Sequence, residues 1–395
     1  MRTLRSSRDR RRFLLGAGAV ALSSALPRVV FAHSGGPARL VVVILRGALD
    51  GLAAVPPCAD PHYAELHREL AIAAPGSSDG GLALDGTFAL HPSFAFLHER
   101  YLAGEVLVFH AAASPYRDRS HFDGQNVLEN GLAGPLGSAD GWLNRALAAL
   151  TQQRAVAISQ NVPLLLRGDV PVMSKSPQAA ADVDEDLLAR LADLYSTDDW
   201  LSARLSEGMQ TEKLGGDAGK PAAADKVSSA ARMAAALMRG DGGPEVAVIE
   251  AGGWDTHANQ GGAKGALAQR LAGLDRALRG LADDLGPLWP QTAVLVVTEF
   301  GRTAAMNGTR GTDHGTGGCA FLAGGAVRGG RVIADWPGLA HKDLLDGRDL
   351  RPTLDLRSLF KGVLDEHLHV DARTLSTRIF PDSSGARPLK GLIRA

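Results

Sequence analysis

Four short stretches of the chain are apolar at nearly every position and rich in β-branched residues: 40–45 (LVVVIL), 106–110 (VLVFH), 246–250 (VAVIE) and 293–298 (AVLVVT). Continuous apolar runs of this length, without polar alternation, predict strands covered on both faces, as in a parallel sheet. Between the last two runs the period changes. Leu267, Leu271, Leu274, Leu278, Leu281 and Leu285 recur at spacings of four and three with polar residues between them. That is one apolar stripe on a long helix, which Pro287 and Pro290 end. Strand, helix and strand then form a βαβ unit with parallel strands and a right-handed crossover.

A second helical stretch, 182–207, leads into TEKLGGDAGKPAAADK (211–226), whose Gly, Ala, Lys and Asp content reads as a loop. A further helix follows over 227–239. No repeat of fixed period divides the chain. The prediction is one α/β domain over 33–395, a central mostly parallel sheet with helices on both faces, carrying a helical insertion at about 182–240.

The N-terminus follows a different pattern. Residues 1–32 hold seven arginines and one acid, Asp9, a net +6 that leaves −7 on the remainder of a chain whose total is −1. Arg10-Arg11-Arg12-Phe13-Leu14 fits the twin-arginine export pattern, an apolar stretch follows to Leu26, and Val30-Phe31-Ala32 offers a cleavage site. A basic tail or an uncleaved anchor is the alternative. Export implies a periplasmic or secreted protein that meets the twin-arginine translocase in transit. No later apolar run approaches the ~18 residues of a membrane span. The acidic remainder is a poor match for nucleic acid.

The 45% hydrophobic and 22% charged composition describes a globular protein, and two cysteines exclude a disulfide scaffold. Cys58 and Cys319, with no C-x-x-C spacing, read most plainly as two unrelated buried thiols.

Candidate chemistry sits after each predicted strand. The first runs into Arg46-Gly47-Ala48-Leu49-Asp50-Gly51, and the second into the segment from Ser114 to Asp123, which holds Ser120 and His121. The third runs into Trp254-Asp255-Thr256-His257, and the fourth into Glu299-Phe300-Gly301-Arg302, with Asp313-His314 beyond. In an open parallel sheet all strand C-termini share one edge, where ligands bind. Asp50, Asp255, His257, Glu299, Asp313 and His314 then converge as oxygen and imidazole donors suited to Zn, Mn or Mg. Ser120 is the candidate nucleophile, and Arg46, Arg119 or Arg302 could bind an oxyanion through a guanidinium fork.

Each of these residues has a plainer reading. Asp50 serves equally as a turn residue, and Asp255 or Thr256 as a helix cap. Ser120 serves as a cap, with His121 or Asp123 as ligand instead, and Glu299–Arg302 as a salt bridge. His91, His98, His110, His341, His367 and His369 read as structural or surface residues. The chain has no P-loop, no dinucleotide fingerprint after the first strand, no H-E-x-x-H and no G-x-S-x-G.

The motifs LRGALDGL (45–52), SPYRDRSHFDGQ (114–125), GGWDTH (252–257), TEFGRT (298–303) and TDHGTGG (312–318), with FALHPSFAFLHERYLAGE (88–105) and the leader, resemble the bacterial domain of unknown function 1501 family. That family is similar to the alkaline phosphatase and sulfatase superfamily, which implies its fold and a metal site at the strand ends. By that resemblance Asp50 matches the first ligand aspartate and Ser120 the place of the nucleophile. Asp255 with His257 matches an Asp-plus-His pair, Glu299 a later aspartate and His314 the last histidine. Three departures stand out: the Asp–His spacing is two rather than four, Glu299 replaces an aspartate, and Phe300 stands where a ligand histidine is frequent.

The expectation is an exported sulfatase-like or phosphatase-like metallohydrolase of small-molecule or polymer esters, with one or more divalent ions. The rivals are an exported binding or assembly protein of the same fold with a degenerate site, and a purely structural metal site.

Overall fold

Residues 37–150, 153–176, 201, 203 and 226–394 are described in a computed structural model of the chain. The leader (1–32) and nearly all of the helix expected over 182–207 and of the 211–226 loop lie outside them. Among the described residues nine strands form the main sheet: β1 (Arg39–Arg46), β2 (Val106–Ala113), β3 (Ala155–Ile158), β4 (Met173–Ser174), β5 (Val246–Gly252), β6 (Thr292–Thr298), β7 (Gly318–Ala323), β8 (Arg331–Ile333) and β9 (Leu354–Asp355). Their order is β8-β2-β7-β6-β1-β5-β3-β4, with β9 also paired to β2.

All four expected strands are present and mutually parallel. β1 lies between β5 and β6 and is parallel to both, while β2 is antiparallel to β7, which is itself antiparallel to β6. The sheet is parallel except for β7. The expected βαβ unit differs in one respect: its strands β5 and β6 are not neighbours, so their connection passes β1.

The period-two geometry of a strand sends successive side chains to opposite faces. In β1, Val41, Val43 and Leu45 enter one core, which contains residues of α2 (Ala95–Leu102), α5 (Lys226–Arg239) and α6 (Ala266–Leu285). Leu40, Val42 and Ile44 enter the other, with α4 (Trp142–Ala149) and α7 (Leu356–Glu366). Helices therefore cover both faces, which is why the strands carry no polar face. All six stripe leucines of α6 are buried. The helix ends at Leu285, where Gly286 takes φ +51°, and the two prolines fall in the 3-10 turn beyond it.

β2 ends in a bulge. Its register against β7 shifts between His110 and Ala112, and Ala111 holds φ +51°. The Ala111 amide donates to His110 Nδ1 at 2.8 Å, so the ring carries its proton on Nε2, which donates to the Val55 carbonyl at 2.9 Å. The bulge sits immediately before the segment that carries Ser120 and His121 to the sheet edge. His91 and His367, also buried, bond backbone carbonyls in the same way. Cys58 and Cys319 are free thiols, the second buried beside the start of α1 (Gly51–Ala54). Among the described residues no helix is long and apolar enough to cross a membrane.

Candidate metal centre

The parallel register brings the strand ends level, with Arg46 opposite Gly252 and Leu45 opposite Thr298. The loops that follow pack backbone against backbone, and glycine permits this. A Cβ on Gly47, which has φ +116°, would lie 2.7 Å from the Asp255 nitrogen, and one on Gly301 would lie 1.9 Å from the Gly317 oxygen. Asp255 from the loop after β5, and Glu299, Arg302 and His314 from the long loop between β6 and β7, are thereby drawn together.

His121, Asp255 and His314 each offer one ligand atom, all within 4.8 Å of one another. His314 Nε2 is 3.2 Å from Asp255 Oδ1, and His121 Nε2 is 3.4 Å from Asp255 Oδ2. His257 joins them, its Nε2 lying 2.9 Å from both Asp255 Oδ1 and His314 Nε2. Donors bound at about 2.1 Å, at octahedral or tetrahedral angles, stand ~3.0–3.4 Å apart, so these separations fit a shared cation. His121 Nε2 is buried without a hydrogen-bond partner, as a ligand nitrogen awaiting an ion would be. The charge also fits. Asp255 is paired with the buried Arg302 guanidinium, while Glu299 and Asp313 bring further carboxylates to the imidazoles.

Glu299 stands behind this group. It is fully buried, and its Oε1 accepts from His121 Nδ1 and the Gly47 amide, both at 2.8 Å, and from Gln125 Nε2 at 3.2 Å. Thr298 donates to Oε2 at 2.9 Å. Burial pushes its pKa up, but these bonds outweigh burial and hold the carboxyl below the usual range. The bond to Glu299 in turn raises His121 against the opposing effect of burial. With Nδ1 fixed as the donor, Nε2 is left to face Asp255.

Arg302 lies almost fully buried. Its Nη1 donates to Asp255 Oδ1 at 2.5 Å and its Nε to Thr312 Oγ1 at 3.2 Å, with Nη2 on the Thr312 carbonyl. Burial raises the Asp255 carboxyl, and Arg302, His257 and His121 more than reverse this. Burial and the neighbouring His121 charge lower His314. Asp313 contacts His257 Nδ1 at 3.3 Å and accepts from Asn307 Nδ2 at 2.9 Å, which holds its pKa down.

Of the expected residues, Asp255, His257, Asp313 and His314 meet directly, and Glu299 reaches the group through His121. Asp50 does not join them. It is fully buried as the N-cap of α1, its Oδ1 accepting from the Leu52 and Ala53 amides at 3.1 Å and its Oδ2 from Gln260 at 2.7 Å. His67 Nε2 lies 3.4 Å from Oδ2. The expected alternative for Asp50 was a plain turn residue; the structure gives it a helix N-cap role, in which two amides of the helix start take up the carboxylate.

Ser120 is the N-cap of α3 (His121–Asn130) without a side-chain cap bond, so it places His121 at the first helical position. Arg302 is fully engaged by Asp255 and Thr312 and presents no open fork. Arg46 is held by Glu250 and Glu129. Phe300 stacks on His121 at 5.0 Å and lies 5.3 Å from His314, closing one side of the imidazole group. His121 is the site residue that reading by strand ends ranked too low; its position one residue after a Ser N-cap candidate was the available signal.

The chain is thus an α/β protein with a cluster of carboxylates and imidazoles at the C-terminal edge of its parallel strands. Residues 107–379 match the family described as Protein of unknown function (DUF1501), and the chain belongs to that family. No curated protein matches it.

Solved structures that it resembles include the phosphonate monoester hydrolase of Agrobacterium radiobacter. That likeness has 11% identity and a TM-score of 0.38, over 83% of this chain and 73% of that one. Another is the alkaline phosphatase of the Antarctic bacterium TAB5, with 11% identity and a TM-score of 0.34, over 73% of this chain and 92% of that one. A third is Ps i-CgsB in complex with k-i-k-neocarrahexaose, with 10% identity and a TM-score of 0.35 over 72% of this chain. The chain spans 65% of the length of that protein. These likenesses are distant, and the chemistry of the site rests on its own residues.

Proposed function

We propose that this chain is an exported, metal-dependent hydrolase of phosphate or sulfate esters. The observation that carries the reading is the convergence of His121, Asp255 and His314 within 4.8 Å, with the buried His121 Nε2 lacking a hydrogen-bond partner among the described residues. Asp255, His314 and His121 would hold one divalent cation, with His257 beside them, and imidazoles beside a carboxylate suit Zn better than Mg. Bound there, a cation supplies Lewis-acid polarisation of an ester oxygen and a lowered pKa for bound water or hydroxyl.

The chain's own groups do the rest. Glu299 fixes the His121 tautomer, and Arg302 keeps Asp255 ionised. Asp313 and Asn307 orient His257. The Ser120 hydroxyl has no partner among the described residues and stands one position from His121, which suits the nucleophile role expected of it. The twin-arginine leader supports export to the periplasm or beyond.

The second reading is a binding or assembly protein with a structural ion. Phe300 favours it, because its ring packs against two of the imidazoles where a second ion of a two-metal site would need access.

Elemental analysis of the purified chain, paired with aryl phosphate and aryl sulfate turnover, tests both. The hydrolase reading expects about one divalent ion per chain, lost in an Asp255→Ala/His257→Ala variant, and turnover lost in Ser120→Ala with the ion retained. An ion without turnover leaves the structural reading; no ion in the wild type refutes both.

A further inference from the structure

Two arginines at the rim remain after Arg46 and Arg302 are assigned to their acids. Arg119 and Arg348 both rest on Asp349, whose side chain is fully buried. Arg119 donates to Asp349 Oδ2 through Nε at 2.9 Å and Nη2 at 2.8 Å, and Thr316 adds a bond to the same oxygen at 2.8 Å. Arg348 Nη1 donates to Oδ1 at 2.7 Å.

Both arginines also hold His314. The Arg119 carbonyl accepts from His314 Nδ1 at 3.0 Å, and Arg348 Nη1 donates to the His314 carbonyl at 2.9 Å. Arg119 takes φ +62°, an unfavourable backbone for a side chain of its kind, and such strain persists where surrounding structure enforces it.

One carboxylate between two guanidiniums leaves a positive charge beside an imidazole ligand, part of which the neighbouring Asp313 offsets. Asp346, 3.6 Å from Arg119, is 72% exposed and largely screened by water. Among the described residues Arg119 Nη1 and Arg348 Nε and Nη2 have no partner, and the two side chains are 30% and 41% exposed. Arg348 also borders a cleft of about 240 Å³ lined by Leu66, Thr303, Met306, Asn307 and Asp313. That is smaller than the ~300–1,000 Å³ of ordinary ligand pockets, and it has no aromatic wall on which a sugar would stack.

We propose that Arg119 and Arg348, anchored on Asp349 and bonded to His314, form the anion-recognition site of this centre, and that its ligand is a small phosphate or sulfate ester with a compact aliphatic remainder. The ester part rests on the hydrolase reading; the anion site does not. The buried carboxylate sets the guanidiniums in place, so their remaining N–H groups are pre-organised for a tetrahedral oxyanion. The cleft beside Arg348 receives the alcohol part, and its volume suits a short one.

The test is calorimetric titration of the full chain with inorganic phosphate and with glycerol phosphate at low ionic strength, both after chelation and with one equivalent of zinc. Phosphate binds the wild type in both states. Arg119→Gln and Arg348→Gln each weaken it about tenfold, the value of one charge-assisted contact, with metal content retained. Arg348→Lys keeps the charge without the fork and weakens it less, which decides the matter if a Gln variant does not fold. Met306→Trp fills the cleft and removes any preference for glycerol phosphate over phosphate.

Equal phosphate affinity in wild type and arginine variants, or none in the wild type, overturns the inference while leaving the metal reading intact. Arginine-dependent phosphate binding in a chain that takes up no metal upholds the inference and removes the hydrolase reading.

Discussion

Acidification acts on the β2 bulge through one histidine. His110 is fully buried, and its pKa is pushed down to about 4 from an ordinary 6.5, because burial disfavours the charged ring. Both ring nitrogens are already committed, Nε2–H to the Val55 carbonyl and Nδ1 to the Ala111 amide. A second proton would have to be placed on Nδ1, facing an N–H group.

The folded-state pKa is depressed, so the unfolded chain binds the proton first. The stability contributed by neutral His110 is complete above pH 6.5 and is lost as pH falls from 6.5 toward 4. A difference of about 2.5 pH units makes this about 2.5 kcal/mol by pH 4.5. Carboxylates and other histidines titrate in the same range, so the quantity to measure is a difference between variants. His110→Gln keeps one donor and one acceptor but no titration. Urea unfolding at pH 7 and pH 4.5 should show the wild type losing about 2.5 kcal/mol more than the variant. A wild-type-to-variant gap that changes by less than about 0.5 kcal/mol between the two pH values refutes a buried, neutral His110.

Glu299→Gln keeps the shape of the group behind His121 but removes the charge that fixes its tautomer. Metal affinity should fall about 10–100-fold, with melting temperature in the chelated protein changed far less. Unchanged affinity in a competition titration would show that Glu299 does not act on the ion through His121. Gly301→Ala places a methyl within 1.9 Å of the Gly317 oxygen, which the loop cannot accommodate without moving. Its expected result is loss of metal binding together with a destabilisation of about 2 kcal/mol or more, read by elemental analysis and thermal unfolding. A variant of wild-type stability and metal content would mean that the two loops need not touch.

The sheet was legible because its strands are buried on both faces. That condition forces unbroken apolar runs, and 40–45, 106–110, 246–250 and 293–298 all proved to be strands. The leucine stripe of α6 was legible for the matching reason, one buried face at helical period. β7 was not. GCAFLA follows a glycine-rich loop and has no β-branched residue, so it is a strand because β2 and β6 leave an unpaired edge on each side of it. The placement of Asp255 and His257 followed from parallel topology, since parallel strands end on one edge, whereas His314 is brought there by the glycine-lined loop that leads into β7.

What the sequence by itself determined was therefore which segments are buried and at which edge the acids and imidazoles gather. It could not determine what each carboxylate faces. Asp50 turned inward, its carboxylate taken by the amides that begin α1 and by the Gln260 side chain. Glu299 became a support for His121 because its side chain is enclosed by Gly47, Gln125 and Thr298. The freedom of Arg119 and Arg348 depends on Asp349, more than 200 positions from the first of them. Hydrogen-bond partners at that separation are set by packing, and an Asp in a loop carries no local mark of whether it will meet an amide, a guanidinium or an ion.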